Sequence, residues 1–491
     1  MAKELCLPPS ASALSESLRD LGYSLETAIA DIVDNSISAN STEVSIFCFL
    51  NSKEPQLAII DNGCGMSSEE LIGAMKHGSR NPNDLRGEND LGRFGLGLKT
   101  ASFSQCRQLT VLTKKNDVVS AAQWDLDIVD ERDEWIISIL DQDDISDLGF
   151  EESLGKNGTV VIWRKLDRLF ETLIGETRDS LVNEKLAILG KHLSLVFHRF
   201  LTNDDTIKTK IKIKINGHQI TAFDPFCRKI KATQMMPEEK VMVENSIVTI
   251  QPYILPHHSK LTAAEYEFYQ NRSDFISNQG AYIYRNGRLM AWGDWFRMIA
   301  KGESTKLARV QIDFNNNLDE DWTIDIKKSR ASPPKQVRER MRQILNKIIN
   351  RSTDVHRRRG KKLFDESSCP VWERYAEADN IHYEINTQHP LILSLIENSN
   401  NKVNQKFILN AISASLPLEM IYSDFSLSPK EMLTPKIDDK ELTSSLDRFK
   451  ELLVINGNID AEQYKSLLLS TGLFNGKEAA IDDYINKEFY E

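Results

Sequence analysis

The pattern of apolar and polar positions changes period along the chain. Residues 25–40, LETAIADIVDNSISAN, repeat at helical spacing: Ala28, Ile29, Ile32, Val33 and Ser36 make one apolar or small face, and Asp31 and Asn35 stand four apart on another. Four residues of helix rise ~6 Å, so these two polar groups lie one above the other. EVSIFCFL and QLAIIDNGCGM then have strand character, the second ending in glycine punctuation. Residues 67–77 read as helix, SRNPNDLRGENDLGRFG as a long polar loop, and LKTASFSQC as the opening of another helix. QLTVLTK, VVSAAQWDLD, EWIISIL and GTVVIWRKL read as successive strands. Mixed helices and consecutive strands predict an α+β sandwich, with helices on one face of a largely antiparallel sheet.

Helical character returns over 171–190, and a second mixed segment begins near 209. There TKIKIKING alternates strictly, and SIVTIQPYIL, GAYIYRNGRLMAW and LARVQIDF follow as strands, with an Asn-Gly hairpin signal in YRNGRL. Residues 333–350 are predicted as a helix with two prolines near its start, 351–365 as a charged linker, and 366–491 as mostly helical. The predicted domains are therefore 1–170, 171–350 and 366–491, joined at 351–365. A length of 491 residues accommodates them.

Composition narrows this picture. Hydrophobic residues at 41% and charged residues at 27% are ordinary globular values. No apolar run is long enough to span a bilayer, and the N-terminus lacks the layout of a signal peptide, which predicts no membrane partner. The six cysteines are scattered without a C-x-x-C pair, arguing against a disulfide framework or a zinc site and for a cytoplasmic setting. A net charge of −11 counts against a general polyanion-binding surface. Residues 327–362 are the exception: basic residues outnumber acidic ones there by 12, so this segment is a candidate for nucleic acid, beside the plainer reading of a solvated amphipathic helix.

Candidate chemistry sits in four ordered features: DIVDN with Asp31 and Asn35, DNGCGM with Asp61, GRFGLGLKT, and Gly158-Thr159 at the start of a strand. The third is neither a Walker A loop, since Leu98 is one residue too many before Lys99, nor G-x-G-x-x-G, since its glycines fall at 92, 95 and 97. Taken together the four motifs resemble the GHKL ATPases: the ATPase subunits of type II topoisomerases, MutL proteins, heat-shock chaperones, histidine kinases and MORC proteins. The wording of IADIVDNSISA and LGRFGLGLKTAS most resembles MORC proteins and their bacterial MORC-like relatives. The ATPase likeness covers residues 10–170, and a weaker one continues to about 345.

That resemblance implies an N-terminal GHKL (Bergerat) α/β sandwich, a transducer-like α/β domain and a C-terminal interaction region, with ATP and Mg²⁺ as cofactors. It places Asn35 on the metal, as the hard carbonyl ligand the ion prefers. Asp61 would accept a hydrogen bond from the adenine amino group, with Gly63 and Gly65 leaving room for the base, Met66 packing beside it and Thr159 supporting it. Arg93 and Phe94 would belong to a lid. Gly95, Leu96, Gly97, Leu98, Lys99 and Thr100 would form the phosphate cradle, aided by the helix that follows. The general base would be Asp31, where the family usually has a glutamate; one methylene less implies slow hydrolysis. Lys328, with Lys327 as alternative, would reach the γ-phosphate from WTIDIKKSR, because only one of the two can face it in strand geometry.

The resulting expectation is an ATP-dependent switch. It dimerises when ATP closes the lid and an N-terminal strap, roughly residues 5–24, docks on a second subunit. The family setting is DNA transactions, including bacterial defence against phage. The alternative is a nucleotide-gated binding module with little turnover. A histidine kinase is disfavoured because no phospho-acceptor dimerisation helix precedes the site, and a topoisomerase because 366–491 holds no recognisable cleavage domain. Cys64, His77, Trp292, Trp295 and the pair His257-His258 are read as structural. The C-terminal region is expected to bind a protein partner.

Overall fold

The computed structural model describes residues 9–49, 55–78, 91–92, 97–170, 176–202, 209–257, 260–272, 277–302, 305–324, 331–362, 371–377, 380–397, 402–416, 441–454, 460–471, 473–474 and 476–490. The chain divides into two units, Met1–Ser352 and Thr353–Glu491.

In the first unit, helices α1 (Ala11–Arg19) and α2 (Leu25–Ser38) lead into strands β1 (Glu43–Phe49) and β2 (Gln56–Asp61). Helices α3 (Ser68–Met75) and α4 (Gly97–Phe103) precede β3 (Gln108–Lys115) and β4 (Val118–Asp125). Then come α5 (Leu126–Arg132), β5 (Ser138–Ile139), α6 (Gln142–Leu148), β6 (Gly158–Arg164), α7 (Asp167–Phe170), α8 (Glu176–Val196) and α9 (His198–Leu201). The helix starts follow capping chemistry. The Ser24 N–H donates to Thr27 Oγ1 at 3.0 Å before α2. Ser67 and Glu70 bond each other's backbone N–H at 2.7 and 3.2 Å before α3.

Eight strands form one sheet in the order β5-β4-β3-β6-β2-β1-β7-β8, where β7 is Lys212–Ile215 and β8 is His218–Gln219. All its pairings are antiparallel except β1 with β7. Strand alternation splits the core. Leu57 and Ile59 face the layer of α1, α2, α4 and α8, while Ala58, packed with Leu112 and Val160, faces a smaller cluster closed by Ile145 and Leu148 of α6. Helices thus cover one face, as expected, and α6 covers part of the other. TKIKIKING differs from its expected place. It contributes β7 to the first sheet, because its alternating Ile211, Ile213 and Ile215 complete that core. Within EWIISIL only Ser138–Ile139 is strand.

A second sheet runs β10-β11-β14-β12-β13, with β9 also on β11. These strands are β9 (Gln234–Met235), β10 (Glu239–Val243), β11 (Ser246–Ile254), β12 (Gly280–Arg285), β13 (Arg288–Asp294) and β14 (Ala308–Phe314). The Asn-Gly signal is realised: Arg285 pairs with Arg288 across Asn286 (φ 48°) and Gly287 (φ 81°), the positive-φ pair that a two-residue hairpin needs. Between β11 and β12 lies α10 (Ala263–Arg272). The helix α11 (Lys335–Lys362) starts directly after Pro333 and Pro334 and buries Val337, Met341, Ile344, Leu345 and Ile348. It continues through residue 362, so most of the segment read as a linker from its polarity is helix.

The second unit has a hairpin of Trp372–Glu377 with Asn380–Ile385, followed by helices. Three of them, Leu442–Val454, Ala461–Ser470 and Glu478–Ile485, close over Leu446, Tyr464, Leu468 and Ile481. The α+β class and the mostly helical C-terminal region stand as expected. Among the described residues no helix is long and apolar enough to cross a membrane.

Candidate nucleotide site

The end of β2 sets the first side chain. Asp61 is 9% exposed, and its carboxylate gathers donors from three directions. The Ser36 hydroxyl on α2 donates to Oδ2 at 2.9 Å, the Gly63 N–H donates to Oδ1 at 2.9 Å, and the Thr159 backbone, opposite in the β2–β6 register, adds a third bond. Burial raises the Asp61 pKa above the usual carboxylate value, against the pull of those bonds. A carboxylate offers about four acceptor directions. Three internal donors therefore orient it and leave capacity for one from outside, as an adenine amino group would need.

Two positions of the loop after Asp61 have room only for glycine. A Cβ at Gly63 would lie 2.9 Å from Asp61 Oδ1, and one at Gly65 (φ +65°) would lie 2.0 Å from the Lys114 carbonyl oxygen. Asn62 faces away from this pocket, its Oδ1 accepting the Thr42 and Glu43 N–H groups at 2.9 Å each. Met66 is half-buried, and its N–H donates to Thr113 Oγ1 at 2.9 Å. The Thr113 hydroxyl donates to the Gly158 carbonyl at 3.1 Å and lies 3.3 Å from the Thr159 hydroxyl, so Thr113 knits loop, β3 and β6 together.

Helix α2 carries the other group. Asp31 is 2% exposed, with the Tyr23 hydroxyl donating to Oδ2 at 2.9 Å. Asn35, one turn on, is exposed and precedes the Ser36 that holds Asp61. The glycine-rich motif meets this helix: a Cβ on Gly97, the first residue of α4, would sit 3.5 Å from Asp31 Oδ2. An exposed amide oxygen above a buried carboxylate is a donor set that suits Mg²⁺ shared with phosphate oxygens. Arg93, Phe94, Gly95, Leu96, Lys327 and Lys328 lie outside the described residues.

Of the remaining cradle residues, Leu98 is half-buried and Thr100 buried. Lys99 is 2% exposed, and its Nζ donates to the Ala74 carbonyl at 2.7 Å, capping the end of α3. Burial lowers its pKa to about 8. His77 packs its ring 4.8 Å from Trp135, 5.5 Å from Trp124 and 5.6 Å from Phe103, and burial pulls its pKa down to about 4. Helix α1, within the expected strap, is seated on its own domain. Ser10 and Ser12 donate to Asp133 at 2.8 and 2.9 Å, and Arg19 Nε donates to the Phe103 carbonyl at 3.0 Å.

Sequence reasoning missed Tyr23, Ser36 and Thr113. Ser36 had a signal, being the small polar residue next to Asn35 on a core-facing position. Tyr23 and Thr113 had none, because their partners are set by packing and strand register.

Comparison with known proteins agrees with this geometry. Residues 23–157 match the family described as histidine kinase-, DNA gyrase B-, and HSP90-like ATPase. The chain is 33% identical to ATPase morc-1 of Caenorhabditis elegans over 95 residues, which is 19% of this chain and 11% of that protein. It is 29% identical to ATPase MORC2B of Mus musculus over 101 residues, which is 19% of this chain and 9% of that protein. The chain thus matches about a tenth of the length of these curated relatives. With the Asp61 pocket and the Asp31–Asn35 helix, residues 23–157 thus match a GHKL-type ATPase domain, and MORC ATPases are among the proteins the chain resembles.

Proposed function

We propose that the chain binds ATP with Mg²⁺, hydrolyses it slowly and uses the cycle as a conformational switch. The observation that supports this most directly is the Asp61 carboxylate, buried, oriented by Gly63, Ser36 and Thr159, and retaining acceptor capacity. It accepts from the adenine amino group and disfavours guanine, which presents an oxygen there. The loop at Gly63 and Gly65 admits the base, with Met66 beside it and Thr159 beneath. Asn35 would hold the metal, which would neutralise charge on the phosphates. Asp31, oriented by the Tyr23 hydroxyl, takes the proton of the attacking water. By the family resemblance, Gly95 to Thr100 would cradle the phosphates, Arg93 and Phe94 would belong to the lid, and Lys328 or Lys327 would reach the γ-phosphate.

Calorimetric titration of the chain with ATP tests the reading. Submicromolar to micromolar affinity that needs Mg²⁺ supports it; no magnesium-dependent affinity ends it. Asp31→Ala should keep that affinity and lower phosphate release by about 10²–10⁴-fold, the usual share of a general base. The burial of Asp31 at 2% exposure favours a second reading, a nucleotide-gated module with negligible turnover. Equal, near-zero phosphate release from wild type and Asp31→Ala selects it.

The switch is proposed to dimerise through its N-terminal domain. Since α1 rests on its own domain in this structure, ATP closure would have to free it or offer another surface. An unchanged monomeric mass with a non-hydrolysable ATP analogue, by light scattering, would refute dimerisation. The setting proposed by family analogy is DNA-related, such as defence against phage in bacteria. Helix α11 exposes Lys335, Arg342, Lys347 and Arg351, which supports nucleic-acid binding through 327–362. Arg357, Arg358 and Arg359 fall on its last turns. Affinity for DNA should fall steeply with salt and with alanine at these three positions. The C-terminal unit is proposed to engage a protein partner.

A further inference from the structure

The nucleotide reading leaves two buried arginines unused. Arg285 and Arg288 flank the Asn286-Gly287 turn of the β12–β13 hairpin and are 1% and 3% exposed. Burying a guanidinium is unfavourable unless it is paired and its donors are satisfied. Both are paired, and both reach from the second sheet into the nucleotide domain.

Arg288 Nε donates to Asp34 Oδ1 at 3.2 Å, with side chains 4% and 1% exposed. Its Nη1 donates to the Leu289 carbonyl at 3.0 Å, and its guanidinium lies 5.9 Å from the centre of the Phe197 ring. Asp34 is the residue immediately before Asn35 and three after Asp31 on α2. Arg285 forks Asp319 at 2.6 and 2.7 Å, and its Nη1 donates to the Leu91 carbonyl at 3.1 Å. Leu91 immediately precedes the glycine-rich motif. Its N–H reaches back to Ser38 Oγ at 3.5 Å, and the Ser38 hydroxyl donates to the Asp34 carbonyl at 2.9 Å. The contacts close a circuit: hairpin to Asp34, Asp34 to Ser38, Ser38 to Leu91, and Leu91 back to the hairpin.

We propose that Arg288 is a positioning residue for the magnesium–nucleotide complex, acting through Asp34 on the turn of α2 that presents Asn35, with Arg285 fixing Leu91 beside the start of the glycine-rich motif. This rests on the nucleotide-binding reading above. The physical basis is the low exposure of the pair. With almost no water to compete, the ion pair resists any sliding of α2 against the hairpin. Without the arginine, the buried Asp34 carboxylate loses this ion pair, and the turn that carries Asn35 shifts. Coupling of this kind is reciprocal. Magnesium–nucleotide binding, by fixing Asn35 and Leu91, steadies the β12–β13 hairpin, which gives the second sheet a means of sensing the site.

The test compares binding of a non-hydrolysable ATP analogue, by calorimetry on the full chain, in Mg²⁺ and in EDTA. Arg288→Met is expected to weaken the Mg²⁺ affinity by about tenfold, while the EDTA affinity moves by less than about twofold. Arg288→Lys, which keeps the charge, should recover most of the loss. Arg199→Met removes a different buried arginine, carried by α9 and paired with Asp313 of β14, and serves as the structural control. It should lower the melting temperature without changing the Mg²⁺-to-EDTA ratio. Hydrogen exchange should show that the analogue with Mg²⁺ protects 280–294 in wild type and not in Arg288→Met. Equal losses in Mg²⁺ and EDTA, or an unchanged ratio, overturn the proposal. If Arg288→Met does not fold, Arg288→Gln, which keeps a hydrogen-bond donor but removes the charge, takes its place, and a wild-type ratio with unaltered protection of the hairpin overturns the proposal equally. Absence of magnesium-dependent binding in wild type is a separate result that removes the nucleotide reading itself.

Discussion

The two ends of the candidate site are built differently. The base end is part of the sheet: Asp61 closes β2, Thr159 lies opposite it on β6, and Thr113 lies opposite Thr159 on β3. Its geometry is fixed by backbone ladders whose register cannot slip by one residue without turning the core outward. The phosphate end is assembled from pieces of different origin: one turn of α2, the start of α4, and a hairpin of the second sheet that grips Asp34 and Leu91. Under the proposed function, base recognition falls on a single sheet and the phosphate chemistry on a junction of several elements.

The largest expected effect tests the rigidity of the base end. Gly65→Ala forces a positive φ on an L-residue and drives a Cβ to 2.0 Å from the Lys114 carbonyl. It should destabilise the chain by about 2–5 kcal/mol in denaturant titration and abolish nucleotide binding. Gly97→Ala at the phosphate end meets only an ordinary 3.5 Å contact with Asp31. It should fold with a change below about 1 kcal/mol, with any effect falling on phosphate release. Comparable destabilisation by both would erase the contrast.

Next is Asp61→Asn. Replacing a charge-assisted acceptor should weaken ATP binding by about 1.5–3 kcal/mol, roughly 10–100-fold. It should also narrow the preference for ATP over GTP, measured by competition. Unchanged selectivity would move base recognition elsewhere.

Thr113→Val keeps shape and removes one hydroxyl. The Met66 N–H loses its acceptor, and we expect a stability loss of about 1 kcal/mol with a smaller fall in ATP affinity. No change in either would show that the loop is held by other means.

The last expected effect is almost nil at neutral pH and appears only on acidification, beside the phosphate end. Burial lowers the His77 pKa from 6.5 to about 4. A group that holds its proton less tightly when folded contributes stability above its unfolded pKa and loses it as pH falls through the folded one. Wild type should therefore lose stability relative to His77→Phe between pH 6.5 and about 4. Tryptophan fluorescence should report it, since Trp124 and Trp135 flank the ring. Parallel curves for the two proteins would mean that the histidine is hydrated.

The residues legible in the sequence were those whose roles depend on near neighbours. Asp31 and Asn35 share a helix, so their spacing alone put them together. Gly63 and Gly65 follow Asp61 by two and four residues, and the Asn286-Gly287 turn declares its own hairpin. The sequence pattern misplaced what depends on distant partners. TKIKIKING alternates as a strand in any sheet, and only packing showed that it pairs with β1. The 351–362 segment is polar enough for a linker, yet α11 runs through it.

By itself, then, the sequence determined element periods, the four motifs and the kind of chemistry they can carry, because each depends on side-chain type and on separations of a few residues along one element. Tertiary structure decided which hydroxyls orient the two carboxylates, that Lys99 caps α3, and that Arg285 and Arg288 reach the nucleotide domain. Those contacts join residues as far apart as Asp34 and Arg288, and their existence depends on register and burial, which local spacing does not encode.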